Sequence, residues 1–159
     1  VKEGTPFTGV LYGGLILTAE GPKVIEFNAR FGDPETEVVL PRLKSDIYAF
    51  FEAVLDGRDF EAEWDPRPAL GIVLASEGYP ESYEKGVEIK GLDKAKGNIY
   101  HMGTKRDGDR LLTSGGRVLM VVGRGATLEE ANKAALADVA AIDCPSLFHR
   151  TDIGKAALK

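Results

Sequence analysis

The chain has 159 residues, 43% hydrophobic and 28% charged, with a formal net charge of −5. There is enough apolar mass for a buried core, and there is no apolar run long enough to cross a bilayer. The acidic balance argues against a dominant nucleic-acid footprint.

The first residues, VKEGTPF, carry neither a methionine nor a basic-then-apolar leader, so a fragment or a cleaved chain is expected. Residues 8–19, TGVLYGGLILTA, are apolar at odd and even positions alike, which predicts a strand covered on both faces. AEGPK supplies turn residues at Gly21 and Pro22, and KVIEFNA predicts a second strand that closes an antiparallel hairpin. Pairing about that turn places Gly13 and Gly14 roughly opposite the Asn28–Arg30 end. Residues 35–43 predict a short helix stopped at Pro41. Ser45 is the expected N-cap of a second helix, DIYAFFEAVLDG, which Gly57 ends. On it Phe51, Val54 and Leu55 form a stripe that predicts core packing.

Residues 59–68, DFEAEWDPRP, are polar with two prolines and read as a connector. ALGIVLAS follows as a strand and GYPESYEKG as a loop. NIYHMGTKRDGDRLLTS reads as a hairpin around Asp107-Gly108, and GRVLMVVGRG as a further strand. Thr127 and Glu130 match a capping box that opens a helix to about Ala141, and HRTDIGKAAL predicts a final helical turn. The single cysteine, Cys144, excludes an internal disulfide and a four-cysteine zinc centre; it reads as a small buried apolar residue in a reducing, cytoplasmic protein. The expected class is α+β, divided into 1–58, a connector at 59–68, and a small strand-rich α+β domain at 69–159. The first part is too small to bury both faces of its hairpin and is expected to belong to a larger sheet.

The chemistry concentrates in KVIEFNARFGDPETE, residues 23–37. Side chains alternate across a strand, so Glu26, Asn28 and Arg30 share one face if the strand persists that far, with Ile25 and Phe27 anchoring the other in the core. A carboxylate and an amide oxygen are hard ligands that suit Mg²⁺ or Mn²⁺. Arg30 adds a planar fork of donors for a phosphate. The competing reading is an edge strand with a solvated polar face. Asp33 stands close enough to hold an amine or orient Arg30, whereas Glu37, and with it Glu35, fit a helix N-terminus. Gly13 and Gly14 either open space for a ligand or allow tight packing. Ser114-Gly115-Gly116-Arg117 is either a turn or a phosphate-holding loop with Arg117 as its cation. His101 and His149 lack a metal-ligand pattern and read as structural.

VIEFNARFGDPETEVVLPRL resembles the signature of the phosphoribosylamine–glycine ligase (glycinamide ribonucleotide synthetase) family. PFTGVLYGGLILT, TSGGRVLMVVGRGATLEEA and RTDIGKAAL are similar to it as well. The resemblance covers essentially the whole chain, which corresponds to the end of the family's ATP-grasp domain plus its C-terminal domain. It implies Mg²⁺ or Mn²⁺ ligands at Glu26 and Asn28 near ATP, and Arg30 beside the transferred phosphoryl group. It also implies small-molecule substrates: ATP, glycine and 5-phosphoribosylamine, joined through a glycyl phosphate, with the missing N-terminal part of the same enzyme as partner. Many ATP-grasp enzymes place another acidic ligand on the preceding strand, and GVLYGGLILT has none. The alternatives are another ATP-grasp enzyme, biotin carboxylase-like or glycinamide-formylating, and a non-catalytic packing module.

Overall fold

In the computed structural model, which describes residues 3–157, the first elements are two antiparallel strands, β1 (Tyr12–Thr18) and β2 (Gly21–Asn28). The turn falls at Ala19-Glu20, where the Thr18 hydroxyl donates to the Gly21 carbonyl at 2.8 Å. Pro22 therefore lies inside β2, opposite Leu17, rather than in the turn. The pairing slips by one residue between Gly14 and Leu15, so Ile25 has no direct partner on β1.

The apolar residues of this hairpin are not buried. Leu17 is 84% exposed, Ile25 67% and Phe27 64%, so neither of the last two anchors a core within this chain. The expectation of a strand covered on both faces is corrected for a simple reason: among the described residues the two strands form a sheet of their own and pair only with each other. Apolar periodicity reports what a strand requires, and here the covering surface is not among the described residues.

After the hairpin come a one-turn helix α1 (Thr36–Val39), a 3₁₀ turn over Leu40–Arg42 that contains Pro41, and α2 (Ile47–Leu55). The cap of α2 is Asp46, not Ser45. Its side chain accepts from the Tyr48 and Ala49 amides at 2.7 and 3.3 Å, and a carboxylate is the stronger partner for amides at the positive end of a helix. Ser45 instead accepts from the Glu63 amide at 2.7 Å. That bond, Lys44 N–H to the Glu63 carbonyl at 2.9 Å and Asp65 N–H to the Arg42 carbonyl at 2.7 Å, tie residues 63–65 to 42–45. Of α2 only Ala53 is fully buried, and Leu55 is 76% exposed, so the expected core stripe reduces to a ring cluster. Phe50 lies 5.9 Å from Phe51 and 5.3 Å from Phe60, and Phe51 lies 6.2 Å from Phe31.

The chain divides into two compact units, Val1–Asp65 and Pro66–Lys159. The second holds β3 (Ala69–Ser76), β4 (Asn98–His101), β5 (Thr104–Asp107), β6 (Arg110–Thr113), β7 (Arg117–Arg124), α3 (Leu128–Ala141) and β8 (Leu147–Phe148). Its main sheet runs β4-β7-β3-β8, all antiparallel. Residues 98–113 do not form one hairpin as expected. β4 pairs with β7, and only β5 and β6 pair with each other, across a two-residue turn in which Gly108 takes a positive φ. The buried run of β7 explains the difference: Val118 to Val122 are all under 4% exposed and need a strand on each side.

α3 covers this sheet. Thr127 caps it, accepting from the Glu130 amide at 3.2 Å, while the Glu130 carboxylate reaches back to the Ala126 amide at 2.8 Å. Ala131 and Ala135 are fully buried, and a Cβ on Gly123 would run into the Ala131 carbonyl, so small residues on both sides set the close approach of helix and strand. Leu70, Ile72, Leu74, Ile89, Val118, Leu119 and Val121 fill the core, joined by Cys144, which is buried as expected. The last described residues form a 3₁₀ turn, Lys155–Ala157, preceded by Ile153 packed on the core.

One buried charge locks the helix to the sheet edge. The Asp138 carboxylate accepts from the Lys96 and Gly97 amides, both at 2.8 Å, at 6% exposure. Asp138→Ala leaves both amides without that acceptor and should destabilise the chain by about 2–4 kcal/mol in urea unfolding, with Asp138→Asn costing less. A loss under about 0.5 kcal/mol for the alanine variant would show that water replaces the carboxylate there.

Candidate functional site

The chemically dense end of the hairpin is set by its register. Tyr12 pairs with Asn28, Gly13 with Phe27 and Gly14 with Glu26. Directly opposed residues on an antiparallel pair share a face, and the strand alternates regularly from Glu26 to Asn28, so Tyr12, Gly14, Glu26 and Asn28 project on one side. The glycines thus stand beside Phe27 and Glu26, one to two residues short of the expected Asn28–Arg30 position, because the turn falls at Ala19-Glu20, two residues before Gly21-Pro22; the slip at Ile25 recovers one residue of that difference. A Cβ on Gly14 would lie 3.1 Å from Glu26 Cγ, and one on Gly13 would lie 3.4 Å from the Phe27 ring. Gly14 therefore leaves the Glu26 side chain room to lie across β1.

β2 ends at Asn28, so the alternation that would have carried Arg30 onto the same face stops before it. Arg30 lies in an exposed bend, where its Nη1 donates to the Phe31 carbonyl at 2.6 Å. That bond leaves the guanidinium further donors. Asp33 is exposed in the turn that leads to α1.

The residue that sequence reasoning missed is Tyr12. Its phenol is raised above the usual tyrosine range by desolvation first, then by the charge and hydrogen bond of Glu35, then by the charge of Glu26. Glu35 folds back over Gly32, where an added Cβ would meet the Glu35 carboxylate. The amide and hydroxyl of Thr36 both donate to the Gly32 carbonyl, which tightens the same turn. Glu35 is a helix-start residue by position, as expected, at the N-cap of α1, and its side chain makes no cap hydrogen bond. Glu37 lies in the first turn of α1, and one of its carboxylate oxygens is buried without a hydrogen-bond partner.

Glu26 and Asn28 offer hard oxygen donors. No group of three or more His, Cys, Asp or Glu that could hold a metal occurs among the described residues. A sparse donor set of that kind fits an ion that keeps water and phosphate oxygens in its shell, as Mg²⁺ does, and does not fit a closed zinc centre.

In the second unit the glycine-rich stretch is a packing feature. The Ser114 and Gly115 amides donate to the Gly103 carbonyl at 2.7 and 3.1 Å, and the Tyr79 ring lies over Gly116. Those amides do not form an open anion cradle. Arg117, which opens β7, lines a cavity of about 310 Å³ with Val73, Tyr79, Phe148, His149 and Arg150. Arg150 is already paired with Asp152 at 3.0 and 2.6 Å. His101, on the exposed end of β4, bonds the Thr104 hydroxyl at 2.9 Å.

Comparison with known proteins decides the family. Residues 69–156 match the model of the phosphoribosylglycinamide synthetase C domain, and residues 1–36 match that of the phosphoribosylglycinamide synthetase ATP-grasp (A) domain. The chain belongs to the phosphoribosylglycinamide synthetase family. It is 52% identical over 99% of its length to a phosphoribosylamine–glycine ligase of Halalkalibacterium halodurans, and 51% identical over 98% to one of Pseudomonas syringae pv. tomato. The crystal structure of the phosphoribosylamine–glycine ligase of Thermotoga maritima superposes on 96% of the chain with a TM-score of 0.83 at 35% identity. The chain spans only 37–38% of the length of these relatives. Within the synthetase family assignment, the candidate metal donors fall in the part matched to the ATP-grasp domain, and Arg117 in the part matched to the C domain.

The effect of Glu35 on Tyr12 has a direct optical check. Glu35→Gln removes the acceptor charge, so the Tyr12 phenol should titrate closer to its ordinary value, at lower pH than in the parent chain. Phenolate absorbance, differenced against Tyr12→Phe, reads this, and an unchanged titration would remove Glu35 as a cause.

Proposed function

We propose that this chain carries the metal–phosphate end of the active site of an ATP-dependent carboxylate–amine ligase, which joins glycine to 5-phosphoribosylamine in de novo purine biosynthesis. The observation that carries the reading is the shared face of Glu26 and Asn28, cleared by Gly14, inside the stretch matched to an ATP-grasp domain. The bacterial relatives are named for this reaction.

In this reading Glu26 and Asn28 hold Mg²⁺ or Mn²⁺ beside ATP. The ion, when bound, offsets charge on the phosphate oxygens. Arg30 supplies donors to the phosphoryl group in transit. It sits on a bend and not on the strand, so its guanidinium can turn toward the substrate without breaking the β1–β2 ladder. The glycine carboxylate attacks the γ-phosphorus and releases ADP. The resulting glycyl phosphate is an acyl donor that water-stable glycine is not. The amine of 5-phosphoribosylamine then attacks its carbonyl, expels phosphate and yields glycinamide ribonucleotide. Asp33 is assigned to an amine group and Gly13 and Gly14 to clearance at the site. Arg117, in its aromatic-walled cavity, is assigned to the ribose phosphate. The work of these residues is positioning and charge stabilisation. The setting is cytoplasmic, and the remaining part of the same enzyme supplies the adenine and glycine-rich phosphate-binding elements.

Two measurements test this. In the full-length ligase, Glu26→Gln should lower kcat roughly hundredfold or more at ordinary Mg²⁺; activity near wild type would overturn the metal assignment. The purified 159-residue chain should form no glycinamide ribonucleotide from ATP, glycine and 5-phosphoribosylamine, and product formation by it would show that the site is complete without further elements.

A further inference from the structure

The ligase reading leaves part of one cavity unused. In the second unit Ala75 pairs with Arg117 of β7 on one side and with Phe148 of β8 on the other, so the three form a row across the sheet. Directly opposed residues share a face, and all three line the same cavity of about 310 Å³, together with Val73 and Tyr79. Ala75 is the small member of that row. Its methyl group stands between a guanidinium and a phenyl ring, and the difference in length gives the cavity its depth. The volume lies at the lower end of the range for small-molecule sites, roughly 300–1,000 Å³.

Two aromatic rings bound the cavity without being buried: Phe148 is 41% exposed and Tyr79 38%. Tyr79 is held in place. A Cβ on Gly116 would run into its ring, so the glycine gives the ring its seat, and Tyr83 meets it edge-on with centroids 6.2 Å apart. An open aromatic surface beside a guanidinium offers little to 5-phosphoribosylamine, which carries a phosphate and a sugar but no aromatic ring. A nucleoside 5′-monophosphate carries the same ribose 5-phosphate and adds a planar base. Bases stack on aromatic side chains, and a guanidinium takes phosphate as a planar fork of donors. A purine presents the larger face for stacking. We propose that this cavity binds a purine nucleoside 5′-monophosphate, with the phosphate on Arg117 and the base against Phe148 and Tyr79, and that the nucleotide thereby competes with 5-phosphoribosylamine. This rests on the ligase reading above, which assigns Arg117 to a ribose phosphate, and adds to it a mode of inhibition. Within that reading, purine nucleotides are the compounds toward which the ligase product is carried, so the competition slows the ligase when they accumulate.

AMP serves as the probe. Titrated into the 159-residue chain by isothermal calorimetry, AMP should bind about tenfold or more tighter than ribose 5-phosphate, the difference being the stacked base. Phe148→Ala should remove most of that advantage, and Arg117→Gln should weaken both ligands. Tyr79→Leu is the second variant, with the same expected loss as Phe148→Ala. In the full-length ligase AMP should inhibit competitively against 5-phosphoribosylamine, and more weakly in Phe148→Ala. The proposal is overturned by AMP binding no tighter than ribose 5-phosphate, by an AMP advantage that survives in both Phe148→Ala and Tyr79→Leu, by AMP affinity unchanged in Arg117→Gln, or by inhibition that ATP relieves and 5-phosphoribosylamine does not. Glu26→Gln separates the two levels. An active Glu26→Gln sinks the ligase-site reading whatever the AMP titration gives, whereas an inactive one with no advantage of AMP over ribose 5-phosphate sinks only the nucleotide cavity.

Discussion

Everything at the candidate site depends on one backbone pairing, the antiparallel ladder of β1 on β2. That ladder puts Tyr12 beside Asn28 and Gly14 beside Glu26, and it decides which side chains share a face. A slip of one residue would send Glu26 and Asn28 to the opposite side. Yet the ladder has little to support it within this chain. Among the described residues the hairpin has no third strand, and its leucines, valine, isoleucines and phenylalanine are exposed. Isolated hairpins are marginal in water, so the geometry that the chemistry needs is stabilised from outside these two strands.

The second unit has the opposite character. Its four-stranded sheet is buried along β7, closed by α3 through the Gly123–Ala131 approach and held at its edge by Asp138. Such a unit has a core of its own. The contrast explains how one chain can combine a well-packed α+β body with a chemically rich but uncovered hairpin. The main core sits in residues 66–159, and the candidate hard-oxygen donors sit in residues 1–65.

Much of this was legible in the sequence, for local reasons. ALGIVLAS and GRVLMVVGRG announce β3 and β7 because their apolar runs exceed what one face needs, and Thr127 with Glu130 announces α3 because capping involves neighbours only. The shared face of Glu26 and Asn28 was legible because a spacing of two survives in any regular strand. The rest depends on tertiary partners. Ser45 and Asp46 are adjacent cap formers, and Ser45 is diverted by Glu63, far along the chain. Ile25 and Phe27 carry a core pattern whose core is not among the described residues. The register slip at Ile25 leaves no mark in composition. Tyr12 reads as one more apolar strand residue, and the carboxylates of Glu35 and Glu26 that raise its phenol lie far from it along the chain.

The central claim is that the hairpin bearing Glu26 and Asn28 works as part of a wider sheet. Amide hydrogen exchange, followed peptide by peptide in the 159-residue chain and in the full-length ligase, tests it most directly. The amides of β3 and β7 should be slow in both, whereas those of β1 and β2 should exchange fast in the chain alone and slowly in the full-length enzyme. Equal, strong protection of β1 and β2 in both would show that the hairpin is self-sufficient and would contradict the account.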